Sequence, residues 1–334
     1  MDFVVLGGGG WGTAVARLLA KRGHRTRLWV RDPALAHLMA EERENKKYLP
    51  GVELPENLEL FTDLDEIGRG ADALFLAVPS FAMRGLARRL AGVLPEERRR
   101  DLVLINLAKG IERGSGKTMS EILREELGSE RVYTLSGPSH AEEVGRDSPT
   151  TVVIAGEDLE LGRRLQEALM TERFRVYLSD DLKGVEYGGT VKNIIALAAG
   201  ISDGLGYGDN AKGALIARGL AEMVRLAVHL GAKKETLFGL SGLGDLVTTC
   251  TSEHSRNRQV GYRLGRGESL EEILEDMEMV AEGVYAAEAV RRLAQEKGVE
   301  MPITTAVYQV LYEGARPLDK LKELMTRQPK MERL

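Results

Sequence analysis

A lysine and an asparagine lie inside an apolar segment near the middle of the chain, Gly184 to Ile201. Its apolar residues recur every three or four positions, which predicts a helix with one broad buried face: Val191, Ile194, Ile195, Ala198 and Ile201. A lysine in such surroundings must extend to water, pair with an acid or line a cavity. Strand and helix patterns alternate before this helix, and helices dominate after it. We therefore expect Lys192 to face the cleft between two halves and to donate and accept a proton.

A glycine-rich turn follows the first predicted strand. The run Gly7-x-Gly9-x-x-Gly12 lies between the apolar strand Asp2–Leu6 and the helical pattern Thr13–Lys21. A flexible loop can also contain such a run, but the strand before it and the helix after it are the context of a dinucleotide fingerprint. The glycines allow a tight turn, close approach of a pyrophosphate and close helix–strand packing. The pattern predicts an NAD or NADP site, and with Lys192 it indicates a dehydrogenase.

The end of the second predicted strand bears on the choice of cofactor. Arg31 is followed by Asp32, and Pro33 begins the next helix. An arginine at this place suits the 2′-phosphate of NADP, whereas an acid suits the 2′-hydroxyl of NAD. Arg31 slightly favours NADP, and Asp32 keeps NAD open. A solvated turn is the alternative for both residues.

Other polar residues follow strand ends or begin helices. Lys109 comes directly after a predicted strand, where ligands bind in open α/β sheets, although it could be an exposed loop lysine. The turn Ser136 to Ala141 offers hydroxyls and amides for a phosphate or cofactor. Asp245 is either a helix cap or a carboxylate that holds a catalytic lysine. Residues 255–258, Ser-Arg-Asn-Arg, suit a phosphate at a helix N-terminus or are a solvated helix start.

Several other functions are disfavoured. Gly114-Ser115-Gly116-Lys117-Thr118 resembles the end of a P-loop, but Ile111 occupies the position that requires glycine. The five histidines show no paired metal spacing, so no metal site is predicted. The net charge of −5 argues against a general nucleic-acid or membrane surface. The single Cys250 fits a reducing cytosol, and no apolar run is long enough to span a membrane. The N-terminus begins with a strand, which leaves no room for a signal peptide.

The order of patterns predicts an α/β fold in two domains. Strands are predicted in the first half at Leu58–Phe61, Ala73–Val78, Leu102–Leu107, Arg131–Leu135, Thr150–Ala155 and Arg173–Tyr177. Helices between most of them argue for a mostly parallel sheet covered on both faces. We expect a Rossmann-like dinucleotide-binding domain at residues 1–180 and an all-α substrate-binding domain at residues 181–334.

The ordered set of motifs resembles the bacterial-type NAD(P)-dependent glycerol-3-phosphate dehydrogenases. The shared stretches span nearly the whole chain: Gly7 to Ala14, Ala108-Lys109-Gly110, Ser136-Gly137-Pro138-Ser139, Thr190-Val191-Lys192-Asn193, Gly242 to Leu246 and Ser255-Arg256-Asn257. One departure is Gly10, where the family commonly has serine. That difference removes one side-chain hydrogen bond to the cofactor phosphate, which backbone donors could replace.

The resemblance implies roles for individual residues. It assigns Lys192 to proton transfer, with Lys109 and Asp245 beside it. The glycine fingerprint already predicts Gly7, Gly9 and Gly12 as cofactor contacts. The resemblance adds Gly10, Trp11, Arg31, Tyr48, Lys109 and Ala141, with Arg256, Val280 and Glu282 closing over the dinucleotide. The implied substrate contacts are Lys109, Gly137, Ser139, Lys192, Asp245, Ser255, Arg256 and Asn257.

The implied reaction interconverts dihydroxyacetone phosphate and sn-glycerol 3-phosphate. The resemblance further implies a cytoplasmic homodimer that supplies phospholipid synthesis and acts on a small triose phosphate, with no nucleic acid and no membrane span. Two alternatives remain. One is a β-hydroxyacid or 6-phosphogluconate-type dehydrogenase, and the other is a non-catalytic dinucleotide sensor. The sensor would leave the two lysines, the aspartate and the arginine without a task.

Overall fold

The computed structural model describes residues 1–277, 279–329 and 331–332, the side chains of Gly68 and Arg69 excepted. The chain forms two compact units. The first comprises Met1–Ala108 and Met119–Leu182, and the second comprises Lys109–Thr118 and Lys183–Leu334. The sequence predicts one boundary near residue 180. The segment Lys109–Thr118 groups with the second unit, although it follows a strand of the first.

The first unit is built on a sheet of eight strands. Two further short strands form a separate antiparallel pair, and the ten are β1 (Asp2–Leu6), β2 (Arg25–Trp29), β3 (Glu44–Asn45), β4 (Leu49–Glu53), β5 (Leu58–Phe61), β6 (Ala73–Leu76), β7 (Val103–Asn106), β8 (Val132–Ser136), β9 (Thr150–Ala155) and β10 (Phe174–Ser179). The order in the large sheet is β10-β9-β8-β7-β6-β1-β2-β5. Neighbouring strands are parallel except β8 and β9. The predicted mostly parallel sheet is confirmed.

Helices cover both faces of this sheet. They are α1 (Gly10–Lys21), α2 (Pro33–Glu42), α3 (Met83–Val93), α4 (Glu96–Asp101), α5 (Met119–Leu127), α6 (Ala141–Gly145) and α7 (Leu159–Leu169), with short 3-10 turns at Leu64–Arg69 and Ser80–Ala82. Alternate residues of β1 enter separate apolar cores, Phe3 and Val5 in one and Val4 and Leu6 in the other. A strand that is buried on both sides reads as a continuous apolar run, as Asp2–Leu6 does.

The sequence did not reveal every element of this unit. Neither the pair of β3 and β4 nor the helices α4 and α6 were predicted from the sequence. These elements are only two to six residues long, too short for a periodic pattern to show in the sequence.

The second unit is helical. Its elements are α8 (Leu182–Gly204), α9 (Asp209–His229), α10 (Lys234–Phe238), a π-helical turn (Leu240–Gly244), α11 (Asp245–Thr251), α12 (Arg256–Gly265), α13 (Leu270–Glu275), α14 (Glu282–Glu296), α15 (Pro302–Tyr312) and α16 (Pro317–Met325). The helix α8 is buried on nearly all sides, so the expectation of a single buried face was wrong. Among the described residues, no helix is both long and apolar enough to cross a bilayer.

Candidate functional site

The glycine turn between β1 and α1 requires glycine at two positions. Gly7 has a φ of +128°, and a Cβ there would lie 2.6 Å from the carbonyl oxygen of Ala77. A Cβ on Gly12 would lie 2.0 Å from the carbonyl oxygen of Gly7. Gly9 instead faces open space. The turn therefore packs tightly on its inner side and leaves its outer side open for a ligand to approach the backbone.

The turn is held from outside by residues of the β3–β4 hairpin. The buried amide of Asn45 donates to the carbonyl of Gly8 at 2.9 Å and to the hydroxyl of Thr13 at 2.8 Å. A Cβ on Gly10 would lie 2.6 Å from the carbonyl oxygen of Tyr48. The hairpin thus occupies the space that a serine at position 10 would need. Asn45 was missed in the sequence because its contact with the turn depends on the hairpin.

The first turn of α1 offers hydrogen-bond donors. Gly9 is the N-cap of α1 and has no side chain to cap the helix. The first backbone N–H groups of α1 therefore lie uncapped at the positive end of the helix dipole. The indole Nε1 of Trp11 is buried without a hydrogen-bond partner among the described residues. Buried donors of this kind are normally satisfied, so they point to a polar group that binds there.

Arg31 and Asp32 have different surroundings. Arg31 is exposed, two residues after the end of β2. Asp32 is the N-cap of α2, and its Oδ1 accepts hydrogen bonds from the backbone N–H groups of Ala34 at 3.0 Å and Leu35 at 3.4 Å. Asp32 therefore caps α2, a role that was not predicted from the sequence, and Arg31 takes no part in this cap.

The loop after β8 lies next to the glycine turn. Gly137 has a φ of +131°, and the hydroxyl of Ser139 donates to the carbonyl of Gly137 at 2.9 Å. The Cβ of Ala141 lies 3.4 Å from the Cβ position of Gly10. These contacts bring Ala141 to the start of α1, and its predicted contact with the cofactor stays a prediction.

In the second unit, the ammonium group of Lys192 is buried. It donates to Asp245 Oδ1 at 2.9 Å and to Thr249 Oγ1 at 2.7 Å. The Thr249 hydroxyl in turn donates to the backbone carbonyl of Asp245 at 2.6 Å. An ammonium group has three donors, so these contacts leave one N–H for a substrate oxygen. Thr249 was missed, although its position four residues after Asp245 puts both on one face of α11.

Asp245 joins two lysines. Its Oδ2 accepts from the Nζ of Lys109 at 2.7 Å, while Oδ1 accepts from Lys192. The N-cap of α11 is Gly244, and Asp245 provides no cap hydrogen bond, so the capping alternative for Asp245 is wrong. Two ammonium groups and one carboxylate leave a net positive charge, which suits a phosphate or a developing oxyanion.

The pKa values of this cluster follow from burial and mutual charge. Burial lowers the pKa of Lys192 to about 8; Asp245 opposes this shift and Lys109 adds to it. Burial by itself would raise the pKa of Asp245, but the ammonium groups of Lys109 and Lys192 together hold it below its usual value. Lys192 therefore has a pKa close to the pH at which a general acid or base is effective.

Two asparagine side chains connect this cluster to the starts of two helices. The amide of Asn193 donates to the carbonyl of Lys109 at 3.3 Å, and its Oδ1 accepts from Asn257 Nδ2 at 2.9 Å. Asn257 Oδ1 accepts from the backbone N–H of Gly283 at 2.8 Å. The amide oxygen and one N–H of Asn257 are thus engaged within the protein, so its predicted contact with substrate stays a prediction.

The remaining predicted residues lie at the starts of α12 and α14. Ser255 is the buried N-cap of α12 and accepts from the backbone N–H of Arg258 at 3.2 Å. Arg256 is exposed at the first position of α12, Val280 is half-buried, and Glu282 is the first residue of α14. The relay through Asn193 and Asn257 places both helix starts near Lys192.

Comparisons with known proteins identify the family of this chain. The family model described as NAD-dependent glycerol-3-phosphate dehydrogenase N-terminus matches residues 2–162, and the C-terminus model matches residues 181–322. The chain belongs to this family.

Relatives named glycerol-3-phosphate dehydrogenase [NAD(P)+] support the assignment to the glycerol-3-phosphate dehydrogenase family. The protein of Chlorobium limicola is 52% identical over 99% of both chains, and that of Moorella thermoacetica is 52% identical over 98% of this chain and 96% of its own. The crystal structure of the Coxiella burnetii glycerol-3-phosphate dehydrogenase is similar with a TM-score of 0.93 and 40% identity, over 98% of this chain and 99% of that one.

Proposed function

We propose that the protein is an NAD(P)-dependent glycerol-3-phosphate dehydrogenase that interconverts dihydroxyacetone phosphate and sn-glycerol 3-phosphate. The names of its relatives support this reaction. The single observation that carries the mechanism is the buried ammonium of Lys192, held between Asp245 and Thr249 with one donor left for substrate. Neither a 6-phosphogluconate-type reaction nor a non-catalytic sensor is favoured by the relatives.

The first unit has groups that fit a dinucleotide. The pyrophosphate would bind the backbone N–H groups at the start of α1, which no side chain caps, and the indole N–H of Trp11 can donate to a cofactor oxygen. The nicotinamide ring supplies or accepts the hydride when it is bound. We propose that residues 1–180 hold the cofactor and residues 181–334 hold the substrate, with Lys109–Thr118 joining the substrate part.

The substrate would be held by the positive cluster and by the start of α12. Arg256 can bind a phosphate with two parallel hydrogen bonds, and Ser255 can donate its hydroxyl hydrogen because its oxygen already accepts from Arg258. A phosphate bound by these two residues would place the substrate carbonyl near Lys192. Lys109, Gly137 and Ser139 are further proposed substrate contacts.

Lys192 moves the proton. In reduction, the third N–H of Lys192 donates a hydrogen bond to O2 of the ketone. The ammonium group stabilises the negative charge that develops on O2 and then transfers its proton to that oxygen. In oxidation, the neutral amine accepts the proton from the O2 hydroxyl. Asp245 fixes the direction of the ammonium, and Lys109 offsets part of the charge of Asp245.

The decisive assay measures NADPH oxidation with dihydroxyacetone phosphate. We expect turnover in the wild type and a loss of roughly 10²-fold or more in kcat for Lys192→Ala, as for the removal of a general acid. Lys183→Ala is the matched control, because Lys183 is exposed on the same helix. Turnover of Lys192→Ala close to wild type would remove Lys192 from the mechanism, and inactivity of the wild type would refute the function.

We further propose NADPH as the preferred cofactor. Arg31 is exposed where the 2′-phosphate would lie, and one carboxylate oxygen of Asp32 is engaged in capping α2. The same assay with NADH measures the preference, and a higher kcat/KM with NADH would reverse it.

A cytoplasmic homodimer that supplies phospholipid synthesis is the cellular setting that we propose from the family. Light scattering after size exclusion tests the dimer, and a single-chain mass would contradict it. Fractionation of cells tests the location. Loss of phospholipid precursor after gene deletion tests the supply role.

A further inference from the structure

The helix α12 runs parallel to α8 in a regular register. The same separation of 64 residues joins three contacting pairs: Asn193 with Asn257, Leu197 with Gly261, and Ile201 with Gly265. Because an α-helix rises 1.5 Å per residue, this register holds Arg256 within about one helical turn of Lys192 along the axis. The position of the proposed phosphate contacts relative to Lys192 therefore depends on how α12 is seated on α8.

The two backbones are in direct contact. A Cβ on Gly261 would lie 2.1 Å from the carbonyl oxygen of Leu197, and a Cβ on Gly200 would lie 2.0 Å from the carbonyl oxygen of Arg258. Backbones this close leave no space for side chains between them. Packing of this kind restrains the distance between the helices, but smooth glycine surfaces resist sliding along the axis less than interlocked side chains do.

An ion-pair cluster lies across this contact. Asp203, one residue before the end of α8, accepts from Arg258 Nε at 2.8 Å, and the same carboxylate oxygen lies 2.7 Å from Arg258 Nη2. The other oxygen lies 2.9 Å from Lys212 Nζ on α9. The side chain of Asp203 is only 10% exposed, so solvent screens these pairs weakly.

Arg258 connects this cluster to the start of α12. Its guanidinium pairs with Asp203, and its own backbone N–H donates to the hydroxyl of the N-cap Ser255. Arg256 lies between the cap and this anchor. A shift of Arg258 along α8 would therefore carry Ser255 and Arg256 with it.

We propose that Asp203 is a positioning residue for the substrate phosphate: through Arg258 it fixes the register of α12 on α8 and so the distance of Ser255 and Arg256 from Lys192. This inference rests on the proposed function. It assigns a role to a carboxylate more than two helical turns from Lys192. Asp203 itself would not contact the substrate.

The sign of the effect separates positioning from simple electrostatics. Asp203 is an anion, so its removal makes the surroundings of the phosphate more positive, and the field effect would lower the KM for dihydroxyacetone phosphate. Loss of register would raise that KM. The two explanations thus predict opposite changes.

The experiment compares Asp203→Asn with Lys212→Gln at 25 °C in the NADPH assay. Asp203→Asn keeps the side-chain volume and removes the charge. We expect its KM for dihydroxyacetone phosphate to rise roughly tenfold, with a smaller fall in kcat and a KM for NADPH within about twofold. Lys212→Gln leaves the Asp203–Arg258 pair in place and is expected to keep all three constants. A purely structural role would lower the melting temperature without this selective rise in KM.

Arg258→Lys is the second variant, because it keeps the positive charge and loses the planar fork. It should raise the same KM, and the double variant should add little to either single change. An unchanged or lower KM in Asp203→Asn, or in Arg258→Lys if the first variant does not fold, would overturn the proposal.

If the wild type shows no turnover, the proposed function fails. Calorimetric titration of the wild type and of Asp203→Asn with inorganic phosphate then still decides the role of Asp203. Weaker binding in the variant supports it, and equal or absent binding refutes it.

Discussion

Replacing Asp245 by asparagine tests how the charge cluster sets the protonation of Lys192. Asp245 accepts from Lys192 at 2.9 Å and from Lys109 at 2.7 Å. Two opposite charges about 4 Å apart attract each other by ~4 kcal/mol at an effective dielectric constant of 20. Neighbouring charges of this kind shift pKa values by about 1–3 units. Asparagine removes this attraction and leaves the repulsion by Lys109, so the pKa of Lys192 should fall below about 8.

The consequence for activity depends on the direction of the reaction. Reduction needs the ammonium form, which the wild type retains below pH 8 and loses as the pH rises through about 8. If the pKa falls by about two units, the protonated fraction at pH 7 falls from ~90% to ~10%, and reduction slows roughly tenfold from protonation alone. Oxidation needs the neutral amine, so its rising limb should move to lower pH by the same amount.

The assay is the pH dependence of kcat/KM for dihydroxyacetone phosphate between pH 5 and pH 10. In Asp245→Asn, the descending limb should move from about pH 8 towards about pH 6. Asp209→Asn is the control, because Asp209 is an exposed acid at the start of α9 and should leave the limb unchanged. A limb that stays near pH 8 or moves higher in Asp245→Asn would show that another group titrates, and the reasoning about Lys192 would be refuted.

Three further variants address the phosphate, the cofactor turn and the helical core. Arg256→Ala should raise the KM for dihydroxyacetone phosphate by roughly tenfold or more with a smaller change in kcat; an unchanged KM in steady-state assays would exclude the phosphate role. Gly10→Ser should raise the KM for NADPH and lower the melting temperature, because its Cβ would lie 2.6 Å from the Tyr48 carbonyl oxygen. Unchanged values of both would show that the hairpin can shift to accommodate the serine side chain. Burial raises the pKa of Glu222 to about 7. Its contribution to the free energy of unfolding, on the order of 3 kcal/mol, is therefore fully present below about pH 4.5 and is lost as the pH rises through about 7. Glu222→Gln should abolish this dependence in urea unfolding at pH 5 and pH 8, and parallel pH dependence in the two proteins would contradict it.

Local patterns were sufficient for much of the fold and for the main candidate residue. The order of strands and helices indicated a mostly parallel sheet because each element is set by the periodicity of its own residues. Lys192 could be identified from the sequence because a buried charge is costly, so a lysine inside an apolar helix is unusual whatever its neighbours in space are. Asn45 and Thr249 were missed, since neither an asparagine in a polar loop nor a threonine beside another threonine is unusual.

The sequence by itself determined the glycine turn, the α/β order and the presence of a lysine where water would be scarce. Each of these depends on residues close together in the chain. Only the tertiary structure decided which groups surround that lysine. Asp245 and Thr249 are 53 and 57 residues away in the chain, and Lys109 lies further away on the other side. Burial and the charges of these distant residues set the pKa of Lys192 to about 8, and no local pattern contains that information.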